Sequence, residues 1–117
     1  MQGQSVTLIN VHPPAPIGNT AIRLPFIGMH LPSFYADGRN QQLEHLLAWL
    51  RTTNDRLIVA GDFNTADREH WYQQFDSLLR DAYAEGHGGL GHTFPNSQRW
   101  WLPRVRIDYI WTSDDML

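Results

Sequence analysis

The chain has 117 residues, of which 42% are hydrophobic and 18% are charged, which gives one domain a core and excludes a disordered chain. The net charge of −3 excludes a nucleic-acid binder driven by bulk positive charge, and the absence of cysteine excludes disulfides and thiolate metal sites. No apolar run approaches the roughly 20 residues of a membrane helix, and the N-terminus lacks a basic region leading into an apolar stretch.

Ser5 to Val11 reads as a strand, closed by Pro13 and Pro14, which cannot donate to a ladder. His12 then stands at the strand's C-terminal edge. Residues 13 to 36 hold five prolines and no clear period, which predicts a long loop anchored by Ile22, Leu24, Phe26 and Ile27. Asp37 is placed to cap a helix from about Arg39 to Thr52. Leu43, Leu46, Leu47 and Leu50 form its apolar stripe, and Asn54 is its stop.

Leu57 to Gly61 is a short apolar run ending in glycine and reads as a buried strand. With the first strand and the helix it makes a β-α-β unit. A second helix is predicted over about Arg68 to Leu79, and a short bridge at Asp81-Ala82-Tyr83. Glu85 to His92, with four glycines, is predicted to be a loop. Arg106 to Trp111 alternates and reads as a last strand.

The chemistry concentrates after the second strand, in Gly61-Asp62-Phe63-Asn64. If that strand continues through Asn64, Asp62 and Asn64 share a face, which aims an anionic acceptor and a neutral amide at one spot. Ligands of open α/β sheets bind off such strand ends. Both residues also suit an ordinary turn. His12 can bond a phosphate oxygen or shuttle a proton, and it equally suits a packed strand end. Asp108, inside an apolar strand, needs a partner; Arg104 and Arg106 are candidates. All nine basic residues are arginine, suited to bidentate phosphate contacts, although composition bias yields the same count. Arg99, Arg104 and Arg106 fall near Trp100 and Trp101, a local basic and aromatic patch. His87 and His92 match no metal-ligand spacing, and His30, His45 and His70 read as surface or packing residues.

The Gly-Asp-Phe-Asn segment resembles the GDFN motif of the endonuclease/exonuclease/phosphatase superfamily. Val11-His12-Pro13-Pro14, the stretch Arg39 to Leu50, and Arg106-Ile107-Asp108-Tyr109-Ile110 match further segments of that family in order. The resemblance implies an α/β fold, about half of a four-layer α/β sandwich, with a mixed β-sheet flanked by two helices. It implies a single partial domain over residues 1–117, lacking an upstream Asn and Glu and a terminal Asp-His pair. Ser113-Asp114-Asp115 does not supply that pair, since it follows the last strand too closely and has no histidine.

On the resemblance, His12 contacts the scissile phosphate, Asp62 orients or deprotonates water, and Asn64 holds phosphate and carboxylate. Asp108 accepts a hydrogen bond from His12 and fixes its tautomer. Asp62 and Asn64 are the metal-side residues for Mg²⁺ or Mn²⁺, and Thr93 and Arg106 are the substrate-side residues. The implied reaction is hydrolysis of a phosphodiester of nucleic acid, lipid or inositol phosphate. The isolated chain is expected to be weak or inactive without its N-terminal half. The alternative is a non-catalytic scaffold fragment that binds phosphate or homodimerises, its sheet leaving an open edge and an apolar face. His12-Pro13-Pro14-Ala15-Pro16 also resembles a bacterial subgroup with N-terminal membrane helices, which leaves cytoplasmic and membrane-associated locations both open.

Overall fold

The computed structural model describes residues 5–23, 30–86, 89–96 and 103–116. Its centre is a four-stranded mixed sheet in the order β1-β4-β6-β5. Strand β1 (Thr7–Val11) runs parallel to β4 (Leu57–Asp62), pairing Thr7 with Leu57 and Val11 with Gly61. Helix α1 (Asp37–Leu50) makes the crossover, so the expected β-α-β unit is present. Strand β6 (Asp108–Thr112) runs antiparallel to β4, and the two-residue β5 (Arg80–Asp81) adds to its far edge.

Helix α1 starts two residues before the expected Arg39 and stops at Leu50. Ala36, not Asp37, is its N-cap, and no side chain caps it. Asp37 instead places its charge in the first turn, where the helix dipole favours an anion. The C-terminal end is closed by Thr52, whose hydroxyl donates to the Trp49 carbonyl at 2.8 Å. Helix α2 (His70–Asp76) is shorter than the predicted Arg68 to Leu79, because residues 64–69 form the turn that carries the site. The bridge at residue 81 belongs to β5, and a third short helix, α3 (Ala82–Gly86), takes residues assigned to a bridge and a loop.

The segment read as a long loop contains an antiparallel pair, β2 (Ile17–Arg23) and β3 (His30–Phe34). Its prolines hid it: Pro32 sits inside β3, in a two-stranded sheet where each strand has an edge free of ladder bonds. Leu24, Phe26 and Ile27, expected as core anchors, lie outside the described residues, as does the side chain of Ile22.

The helices cover one face of the central sheet. Leu43, Leu47 and Leu50 of α1 and Trp71 and Phe75 of α2 pack on Leu57, Val59, Tyr109 and Trp111. Phe63, just past β4, fills the junction, edge-on to Phe75 at 5.2 Å and to Tyr109 at 5.6 Å. Each such side chain removes enough apolar surface from water to contribute about 1.5–3 kcal/mol. Register puts Leu8, Ile58, Ala60, Asp62, Asp108 and Ile110 on the opposite face. There Leu8 is 70% exposed and Ile110 53% exposed, so this face carries apolar side chains in water.

Candidate functional site

The site lies at the C-terminal rim of the parallel β1–β4 pair. Two chain exits meet there. After Val11, β1 ends at His12, which is exposed, and Pro13, which is buried. After Asp62, β4 turns sharply, because Asn64 takes φ +49°. It is the one non-glycine residue with positive φ among the described residues. Asparagine tolerates that region because its short polar side chain bonds locally. Gly61, at φ +143°, is held against β1: a Cβ there would collide with the Val11 carbonyl. Glycine is therefore what lets the two strand ends close up beside the site.

The turn corrects the expected geometry. The strand does not continue through Asn64, so Asp62 and Asn64 do not converge by strand alternation. They converge by the turn itself. The Asn64 backbone N–H donates to Asp62 Oδ1 at 2.8 Å, and Asn64 Nδ2 donates to the Pro13 carbonyl at 2.8 Å. His12 Nε2 lies 3.8 Å from Asp62 Oδ2. Three of the four residues expected at the centre thus sit together. One Asp62 oxygen is fixed by the turn while the other faces the imidazole.

Asp108 is placed differently from expectation. It opens β6, exposed, rather than lying buried in it, and no hydrogen bond joins it to His12 among the described residues. Register sets it directly across from Asp62. Two carboxylates facing each other across strands repel unless a cation or donor intervenes. Nor does Arg106 neutralise it: the Arg106 guanidinium is 6% exposed and meets Asp81 at 2.6 Å. Its plane lies among the rings of Tyr109, Tyr83 and Tyr72, at 4.8, 5.3 and 5.7 Å. Burial alone would pull this guanidinium down, but the Asp81 bond and charge outweigh it and raise it.

Arg106 nonetheless lines a cavity of about 700 Å³, with Gly61, Tyr83, His92, Thr93, Asp108 and Ile110. Thr93 is tied to the rim: its Oγ1 accepts from the Ile107 and Asp108 N–H groups at 3.1 and 3.3 Å. Arg99, Trp100, Trp101 and His87 lie outside the described residues. The His70 ring lies tilted against Trp71 at 4.5 Å and His45 is exposed, as expected of packing and surface residues. Asp114 and Asp115 pair with Arg80 and Arg56 at 2.8 and 2.7 Å, away from the rim.

Tyr72 couples the aromatic core to the Asp81–Arg106 pair, donating to Asp81 Oδ2 at 2.9 Å. Burial, then the Asp81 bond and charge, push its phenol up to about 12. Burial also pushes the Tyr109 phenol up. A phenol that holds its proton longer in the folded state contributes stability that is complete below its ordinary value of 10. Above that pH the unfolded chain binds fewer protons, so stability falls as pH rises toward about 12. Urea midpoints should be flat on the acid side of this window and drop within it. In Tyr72→Phe the drop should be shallower.

Two residues of the site were missed by sequence reasoning. Arg39 and Glu69 hold the turn from below, with Arg39 Nη2 and Glu69 Oε2 2.9 Å apart. A signal existed: Arg39 is four residues before Leu43, on the apolar stripe itself.

The family model of the endonuclease/exonuclease/phosphatase family matches residues 4–117. The chain belongs to that family. The mixed sheet with helices on one face, and the Gly61-to-Asn64 turn at its rim, are therefore the α/β architecture expected of part of the family's domain. Membership in the endonuclease/exonuclease/phosphatase family also points to hydrolysis of phosphate esters as the class of reaction. No curated protein and no solved structure gives a significant match. No described helix is long and apolar enough to cross a membrane.

Proposed function

We propose that the chain carries part of the active site of a metal-dependent phosphodiesterase. The observation that supports this best is the meeting of His12, Asp62 and Asn64, from two chain segments, at one rim of the sheet. Asp62 would orient or deprotonate the attacking water, with its Oδ1 fixed by the Asn64 N–H. His12, exposed beside Asp62, would contact a phosphate oxygen. Asn64, anchored to Pro13, would keep the carboxylate and the phosphate in register. Such chemistry relies on positioning and charge more than on covalent steps.

The donor set suits Mg²⁺ or Mn²⁺ in part. Asp62 and Asn64 offer hard oxygen ligands, and the Asp108 charge stands opposite Asp62. Among the described residues no group of three or more acidic, histidine or cysteine side chains is close enough to hold an ion alone. Water and substrate oxygens would complete the shell, as is usual for Mg²⁺. When bound, the ion supplies Lewis-acid stabilisation of the phosphate.

A scaffold reading draws on the open apolar face around Leu8 and Ile110. Turnover separates the two. Bis(p-nitrophenyl) phosphate with Mg²⁺ should be hydrolysed by the chain, alone or with the rest of its domain supplied, and EDTA should abolish it. Turnover at background in both settings would leave the scaffold reading standing.

A further inference from the structure

Helix α1 buries a cation on its apolar stripe. Arg39 is 3% exposed, one helical turn before the buried Leu43. Its five donors are spent on the turn after β4 and on the neighbouring residue of its own helix. Nη1 donates to the Asn64 carbonyl at 2.8 Å and to Glu69 Oε1 at 3.2 Å, and Nη2 meets Glu69 Oε2 at 2.9 Å. Nε and Nη2 also donate to Asn40 Oδ1 at 3.1 and 3.0 Å. Glu69 Oε1 in turn accepts the Ala66 N–H at 3.0 Å, and Asn40 Oδ1 accepts the Trp71 indole N–H at 3.1 Å. One guanidinium therefore grips both ends of the 64–69 turn, while its neighbour ties α2 to α1.

The place it grips is the left-handed one. Such a residue other than glycine is uncommon, asparagine being among those that tolerate it best, and it is held by its surroundings. The Asn64 carbonyl bound by Arg39 belongs to the same residue whose N–H holds Asp62 and whose Nδ2 holds Pro13. A buried ion pair gains little stability over apolar side chains of similar volume. What the arginine adds is a planar fork of five donors that meets a carbonyl, both carboxylate oxygens and the Asn40 side chain at once, a geometry that lysine's three-donor ammonium lacks.

We propose that Arg39, with Glu69, is a positioning residue that sets the Asn64 turn and through it the Asp62 carboxylate. This rests on the phosphodiesterase reading for its catalytic consequence, but not for its geometric one. The test uses the full chain carrying Arg39→Lys or Glu69→Gln, the second being the milder change at a half-buried site. Amide hydrogen exchange, read by NMR, should be about tenfold faster at Asn64, with Val59 and Ala60 unchanged. Hydrolysis of bis(p-nitrophenyl) phosphate should lose about tenfold or more in kcat, with KM changed less than about threefold. Unchanged exchange at Asn64 in folded Glu69→Gln would overturn the proposal. Background turnover by the wild type would sink the phosphodiesterase reading, while exchange at Asn64 would still decide the clamp.

Discussion

Asp62→Asn is expected to lower kcat for bis(p-nitrophenyl) phosphate by about 10³-fold while leaving the fold intact. The substitution keeps the shape of the side chain. Its carbonyl oxygen can still accept the Asn64 N–H now bonded to Oδ1, so the turn survives. What disappears is the charge. On the proposed mechanism the water would lose its base and a bound Mg²⁺ an anionic ligand, and His12 loses the carboxylate 3.8 Å away. Stability should hold or rise slightly, since the change relieves the like-charge pairing of Asp62 with Asp108 across the strands. Activity and stability thus move independently, which a merely structural aspartate would not permit. Steady-state kinetics across a Mg²⁺ series, beside urea unfolding of the same variant, measures both. A kcat within about threefold of wild type would remove Asp62 from the chemistry.

How far the site was legible in the sequence depended on distance along the chain and on turn geometry. Strands β1, β4 and β6 and the crossover helix follow from apolar periodicity and local motif, and they stand within about two residues of where expected. The reason Asp62 and Asn64 converge did not follow. Strand alternation predicts a shared face, whereas a left-handed residue at Asn64 brings backbone N–H and carboxylate together. The Arg39 guanidinium that bonds the Asn64 carbonyl comes from 25 residues upstream, so no local window contains that contact. Asp108 shows the same limit. Its segment was assigned correctly to a strand, but its partner depends on antiparallel register, which faces it to Asp62. Arg106 was read as a candidate partner for Asp108 because its actual partner, Asp81, sits on a two-residue edge strand too short to recognise. The β2–β3 pair failed for a different reason. Proline density argues against a central strand and says little about an isolated hairpin.

Asp81→Asn is expected to destabilise the chain by about 3–5 kcal/mol, the largest stability effect foreseen for a polar substitution here. The carboxylate is 2% exposed and fully used. Oδ2 meets Arg106 Nη2 at 2.6 Å and accepts from the Tyr72 hydroxyl at 2.9 Å. Oδ1 accepts from the Tyr83 and Ala84 N–H groups at 3.1 and 3.3 Å, which starts α3. An asparagine has only one acceptor oxygen for these two sets of donors. If it keeps α3, its NH₂ confronts the guanidinium and the phenol. If it keeps Arg106, the first turn of α3 loses its bonds. Either way a buried cation is left without a counter-charge, and two of its nitrogens, Nε and Nη1, already lack hydrogen-bond partners among the described residues. The consequence reaches the rim, because Tyr83 of α3 and Arg106 both line the cavity beside Asp108. The exposed pair Arg80–Asp114 supplies the contrast: Asp114→Asn should leave the urea midpoint nearly unchanged, as solvent screens such a pair. Arg106→Met placed on top of Asp81→Asn should recover part of the loss, because it removes the stranded charge. Equal costs for Asp81→Asn and Asp114→Asn would mean that the Arg106 site admits water and that the pair is no more than a surface contact.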